Sequence, residues 1–373
     1  MANPKTGYIP YIDGARGIAI GFVVLSHAGL GKIIPGKFGV TLFFVLSGYL
    51  ITRLLLAELQ EKGRIDFGSF YLRRLFRLYP ALLVMIGCSV IATKIMQYPL
   101  PMTDIWASLF YYTNYYIGWF RTPVEDAGRV LDILWSLSVE EHFYLAFPLL
   151  LQFFIQDKKN IPKSNAENRT LPNLTNVREF AWFLLTLCIT SLAIRWFTYE
   201  QFYPAVEDSA GRIYFSTHTR LDSIIWGCLA ALLLFGIENK AYEKFLLKPW
   251  VFGLGLLLLF LSVAIRNEVF RQTLLYSFQG IGLFLIIPAI GLFPNPWIKN
   301  MLSHPAMIFV GKISYSLYLF HWIVAKLGNY YFTEWSWQWQ MFFWPLTLLL
   351  SIGSYYCIEQ PFVGLRKKYG SKA

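Results

Sequence analysis

His27 interrupts the first apolar run of the chain, residues 17–34, whose other members are nearly all apolar. At about 1.5 Å of rise per helical residue it is expected about 15 Å in from Gly17, near the centre of a bilayer. A charge at that depth costs at least a few kcal/mol, roughly, so the position suits either a neutral imidazole hydrogen-bonded inside a helix bundle or one that does chemistry. The chemistry open to it is removal of a proton from a hydroxyl, or attack on an activated carbonyl.

Two further sets of residues could share that work. Arg73, Arg74 and Arg77 in FYLRRLFRLYP run directly into an apolar stretch, and Arg74 and Arg77, three apart, share a helix face. Arg16 opens the first run, with Asp13 one turn earlier. Such arginines anchor a span on its cytoplasmic side, and clustered guanidiniums also suit a phosphorylated ligand arriving from that side. The second set is acidic and imidazole-bearing: Glu140, Glu141 and His142 at the start of the fourth apolar run, His218, Arg220 and Asp222 at the start of the sixth, and His321 in the ninth. At a wet outer cavity these groups could bind sugar hydroxyls or relay protons. Adjacent carboxylates point to different faces of a helix, so at most one of Glu140 and Glu141 is expected to face the interior. The sets are then ordered in depth, with arginines inside, His27 in the middle, and carboxylates with His321 outside. That layout suits an enzyme joining a cytoplasmic donor to an outward-facing acceptor.

The elements that must position these groups are membrane helices. The 373 residues are 56% hydrophobic and 15% charged, against roughly 25% charged in soluble domains. The 13 Trp and 23 Tyr fit interfacial belts. Ten spans are expected, at 17–35, 38–57, 78–96, 140–156, 180–198, 221–237, 250–265, 274–293, 307–327 and 338–358, in an all-α polytopic fold. Residues 106–120, rich in Tyr and Trp, read as an interfacial or re-entrant piece, and the polar stretch 156–178 as a mobile loop. With the N-terminus inside, 22 of the 33 Lys and Arg fall on the inner side, so both termini are expected in the cytoplasm and the net charge of +11 reflects orientation rather than nucleic-acid binding. The first run lacks a small-residue cleavage site and reads as an uncleaved signal anchor. Cys88, Cys188, Cys228 and Cys357 all lie in apolar runs without a C-x-x-C pair, so neither a disulfide framework nor a metal site is expected.

Seven segments, in order, resemble the membrane-bound acyltransferase family 3, which includes bacterial O-acetyltransferases of polysaccharides: YIDGARGIAIGFVVLSH (11–27), FFVLSGYLITRLL (43–55), FYLRRLFRLYP (70–80), LWSLSVEEHFYLAFP (134–148), THTRLDSIIWGCLAALL (217–233), GKISYSLYLFHW (311–322) and IEQPF (358–362). The resemblance implies a family 3 transmembrane domain over residues 1–362, followed by a basic cytoplasmic tail, 363–373. It implies a multi-pass protein of the bacterial inner membrane that moves an acyl group, usually acetyl, from cytoplasmic acyl-CoA to a hydroxyl of a cell-envelope glycan or other acceptor, without a metal. By the family's pattern His27 is the catalytic histidine, with Arg16 and Asp13 from the same motif. Arg73, Arg74 and Arg77 match the arginine motif of the acyl-CoA side, and Glu140 and Glu141 match the acidic pair. In the reaction these residues suggest, Glu140 or Glu141 orients the acceptor or relays the proton, and His321, Arg220 and Asp222 line the outer, substrate-binding vestibule. Some members carry a fused extracellular esterase-like domain; with Ala373 soon after the last span, none is expected here. The alternative reading of spans and buried ionisable groups is a proton-coupled transporter.

Overall fold

The computed structural model describes residues 8–121, 129–155, 174–203, 209–293 and 297–367, and among them the only regular elements are helices. The principal ones are α1 (Pro10–Leu25), α2 (Gly36–Lys62), α3 (Phe67–Ile95), α4 (Met102–Leu109), α5 (Trp135–Ile155), α6 (Leu174–Phe202), α7 (Thr217–Ala231), α8 (Pro249–Ala264), α9 (Leu275–Leu292), α10 (Pro305–Lys312), α11 (Ser314–Tyr331) and α12 (Trp337–Ser354). Among the described residues six helices are long and apolar enough to cross a membrane, and up to eight if each of two bent pairs counts as one span. The bent pairs are Lys240–Leu246 with α8, at 72°, and α10 with α11, at 65°. Neither α1 nor α5 is among the six. The first is 16 residues long, and the second spends Glu140, Glu141 and His142 in its first two turns.

Helix ends follow local chemistry. Pro10 sits in the first turn of α1, where its missing N–H is no loss, and Asp13 lies near the positive end of the helix dipole. Gly63, at φ 70°, closes α2, and Asp66 then accepts a hydrogen bond from the Ser69 amide to open α3. Residues 156–173 of the expected loop and 368–373 of the basic tail lie outside the described residues; 174–178, expected as loop, are the start of α6. The Tyr- and Trp-rich stretch 106–120 is built from α4 and short turns that pack Asn114, Tyr115 and Trp119 against Thr217, His218 and Ser216 at the start of α7.

Helix α1 begins seven residues before the apolar run, because PYIDGAR is itself helical, and it continues as a π-helical turn, Ser26–Leu30. His27 therefore occupies the last turn of a helix running from Pro10, rather than its middle. Extra-residue π turns of this kind re-aim side chains and are frequent at functional sites. The turn also needs Gly29, whose φ is +105° and whose missing Cβ would lie 2.9 Å from the Trp335 ring.

Candidate active site

Two helices, α1 and α11, carry the site, and glycines seat α1 against the segment that leads into α11. A Cβ on Gly14 would stand 1.8 Å from the Leu302 carbonyl oxygen, and one on Gly311 1.8 Å from that of Asp13. Only hydrogen fits at either place, so the N-terminal half of α1 lies backbone to backbone against the chain entering and forming α10. Arg16 and His27, eleven residues apart, are three turns apart on one side of α1. Ser314, Tyr318 and His321 recur at intervals of four and three on one side of α11. The two stripes meet at both ends. Arg16 Nη2 donates to Ser314 Oγ at 3.1 Å, and His27 Nδ1 lies 3.0 Å from His321 Nε2.

The hydrogen bonds define which nitrogen is free. His321 Nδ1 is 2.9 Å from the Leu317 carbonyl, which can only accept, so Nδ1 of His321 carries a proton. With both rings neutral, His321 Nε2 is then an acceptor and takes the proton of His27 Nδ1. The lone pair of His27 is left on Nε2, which has no hydrogen-bond partner among the described residues. This is the arrangement of an oriented base: one nitrogen fixed by a buried partner, the other open to reactant. His321 is fully buried, and its ring lies nearly parallel to that of His27, at 9° with centroids 5.3 Å apart. The Trp322 ring closes another side of His27 at 4.9 Å, and Lys326 Nζ stands 4.9 Å from the same indole.

Below the histidines lies a cavity of about 130 Å³. Arg16, Arg74 and Arg77 line it together with Ser47, Glu140 and Tyr144; leucines and phenylalanines of α2 supply an apolar wall; and Ser136 and Tyr318 lie toward the histidines. Glu140 is held on both oxygens, by Ser47 Oγ at 2.9 Å and by the Tyr144 hydroxyl at 3.3 Å. Arg74 packs over the Tyr144 ring, 4.5 Å from its centroid. A cationic end with a long apolar wall suits a ligand with phosphates at one end and a slender, largely uncharged arm.

The residues expected to do chemistry sort as follows. His27 and His321 meet, although His321 was expected outside and His27 in the middle. Arg16, Arg74, Arg77 and Glu140 meet in the cavity, so the carboxylate joins the arginines instead of forming an outer layer: α5 descends from Trp135, and one turn and a half brings Glu140 beside Ser47 and the Tyr144 hydroxyl. Glu141 faces elsewhere, with Oε1 buried and unpartnered. Asp13 lines the glycine contact rather than the cavity. Arg73 turns away to Glu58, at 3.5 Å, because successive helical residues diverge by about 100°. Arg220 and Asp222 do not form an outer vestibule, since both are fully buried. Asp222 takes both terminal nitrogens of Arg195, at 2.8 and 2.7 Å. Arg220 is enclosed by aromatic rings, that of Tyr276 at 3.8 Å, and donates to Thr41 Oγ1 at 3.0 Å.

Two contributors escaped the sequence reading. Tyr318 lies in the resembling segment 311–322, where only His321 carries an expected role. Glu359, in the closing IEQPF, is 8% exposed, accepts a short hydrogen bond from Ser316, and lies close enough to Arg77 and Arg16 to feel their charge. Its position directly before Gln-Pro-Phe at the end of an apolar run was the available signal. Among the described residues no group of three or more His, Cys, Asp or Glu is placed to hold a metal ion.

Comparison with known proteins identifies the family. Residues 9–358 match the family model for the acyltransferase family 3 domain, described as "Acyltransferase domain". The chain is 31% identical over 385 residues to the "Putative O-acetyltransferase SACOL0978" of Staphylococcus aureus (strain COL), covering 99% of this chain and 59% of that protein. It is also 31% identical over 389 residues to the O-acetyltransferase OatA of Staphylococcus aureus (strain NCTC 8325 / PS 47), covering all of this chain and 59% of that protein. The chain thus spans about three fifths of the length of the curated relatives it matches. No solved structure matches it. With nearly its whole length inside the family model, this chain belongs to the acyltransferase family 3.

Proposed function

We propose that the protein is an O-acetyltransferase of the bacterial inner membrane. It takes an acetyl group from cytoplasmic acetyl-CoA and delivers it to a hydroxyl of a cell-envelope glycan. The observation that carries the reading is the open Nε2 of His27, held by His321, directly above a cavity whose far end is lined by Arg16, Arg74 and Arg77. The names of the relatives, O-acetyltransferases, support the same chemistry. Ten spans with both termini in the cytoplasm are part of the proposal, supported by the asymmetry of Lys and Arg along the chain. The family membership weighs against the proton-coupled transporter.

The donor's phosphates bind the guanidiniums of Arg74, Arg77 and Arg16, and its pantetheine arm lies along the apolar wall toward Tyr318. Eleven residues of α1 separate Arg16 from His27, about 16 Å along the axis, a span that a pantetheine arm bridges. The acceptor hydroxyl gives its proton to His27 Nε2 as its oxygen bonds to the thioester carbonyl carbon. The tetrahedral adduct then collapses, the carbon–sulfur bond breaks, and the leaving thiolate takes the proton back from His27. The products are an ester, free CoA and a neutral imidazole. His321 holds His27 in the required tautomer and orientation throughout. Glu140 stays bonded to Ser47 and Tyr144 and offsets the arginine charge, a positioning role rather than a protonic one.

The test is mass spectrometry of base-labile esters on envelope glycans from cells making the wild type or His27→Ala at equal abundance. A general base contributes about 10² to 10⁴ in rate, so the ester should fall at least about 100-fold in the variant. Matching ester profiles overturn the proposal.

A further inference from the structure

We propose that Tyr318 is a gate between the donor cavity and the histidine pair, and that it sets the longest acyl group able to reach His27. The inference rests on the acyl-CoA reading given above. Tyr318 and Ser136 line the cavity, whereas neither His27 nor His321 does. Tyr318 also follows Ser314 by one turn and precedes His321 by one turn on the same stripe of α11. Ser314 is tied to Arg16 at the donor end, and His321 to His27 at the reacting end. The phenol therefore stands on the route between them, with its ring centroid 5.9 Å from that of His321.

Tyr318 is fastened rather than loosely packed. It is 5% exposed, and its hydroxyl reaches across to α5 and the turn before it. The Ile133 carbonyl, 2.8 Å away, can only accept, so the phenol donates there. Ser136 Oγ, at 2.6 Å, then donates to the phenol oxygen. Both bonds must be broken, or the ring swung aside beneath them, before a thioester carbon reaches His27. A narrow acetyl group needs the least displacement. Each added methylene must fit where the ring, Phe44 and Leu137 already stand. Close-packed interiors resist even one methylene of extra volume. The same phenol thus shuts the cavity at rest and rejects longer donors.

The experiment uses membrane vesicles holding the full chain together with its native acceptor. They are supplied with radiolabelled acetyl-, butyryl- or hexanoyl-CoA, and base-labile label is counted. The wild type is expected to favour acetyl. Tyr318→Ala should raise the butyryl-to-acetyl ratio by at least about tenfold, as hydrophobic pockets discriminate by roughly that much per methylene. Tyr318→Phe keeps the ring and removes both bonds, Ser136→Ala removes one, and both should raise the ratio less. A purely structural tyrosine would lower both donors together and leave the ratio unchanged. If Tyr318→Ala does not accumulate, the two milder variants decide by the same ratio. An unchanged ratio in every variant that accumulates overturns the gate, as does a wild type that uses hexanoyl-CoA as readily as acetyl-CoA. Absence of transfer from any acyl-CoA by the wild type overturns the donor reading instead, and the gate falls with it.

Discussion

Two groups of arginines lie within the helical body and differ in how their donors are spent. Arg195, fully buried, uses all three guanidinium nitrogens: Nε on the Thr273 carbonyl, Nη1 on the Thr219 carbonyl and Asp222, Nη2 on Asp222 and Ser277. Arg16 makes one side-chain hydrogen bond, to Ser314, and neither Arg74 nor Arg77 forms an ion pair among the described residues, although Glu140 shares their cavity. A saturated guanidinium is part of the fold, because removing any partner strands a buried charge. An unsaturated one at a cavity keeps donors for a ligand. Arg220 falls between the two: it is buried among aromatic rings, with Nε and Nη1 unpartnered, but does not line the cavity. The difference teaches that burial of an arginine says little about its role until its donors are counted.

Substitutions can break or sharpen this contrast. The largest stability effect is expected from Asp222→Ala, which leaves Arg195 buried without its counter-charge; breaking such a pair costs about 3–5 kcal/mol. Membrane abundance and Tm should drop steeply, while any protein that survives keeps its KM for acetyl-CoA. Normal abundance and Tm would erase the distinction between the clusters. Arg74→Ala comes next. Loss of a charge-assisted hydrogen bond of about 1.5–3 kcal/mol should raise the KM for acetyl-CoA about 10- to 100-fold, with abundance unchanged. A fall in stability at constant KM would move Arg74 into the class of Arg195. Arg73→Ala is the smallest. Arg73 turns to Glu58, at 3.5 Å, and does not line the cavity, so steady-state kinetics should be unchanged and stability altered by about 1 kcal/mol or less. An Arg73 effect on KM equal to that of Arg74 would mean that the motif acts as a charge cloud rather than through directed side chains.

Much of this was legible in the sequence because it depends on period and order. Helices stand at each of the ten apolar runs, and the i, i+3 spacing of Arg74 and Arg77 put both on the cavity. Depth was read less well. The start of an apolar run is not the start of a helix, and the helical PYIDGAR moved His27 from mid-helix to the last turn. Glu140 was placed outside because charge at the beginning of a run suggests an interface, yet the serine and tyrosine that hold it come from other positions, 93 residues away in the case of Ser47. Asp222 looked like a vestibule residue for want of its partner, Arg195, which sits unmarked among apolar residues of α6. The pairing of His27 with His321 joins residues 294 apart, and no local pattern announces it.

The glycine contact at Gly14 and Gly311 has a mechanical meaning. It fixes the N-terminal end of α1 against the chain entering and forming α10, while the His27 imidazole rides thirteen residues farther along the helix, about 20 Å from the fulcrum. A lever of that length turns a tilt of about 3° into about 1 Å of travel at His27, a displacement that can cost a reaction about 100-fold. Two glycine hydrogens at the opposite end of the helix from His27 thus bear on where its imidazole stands.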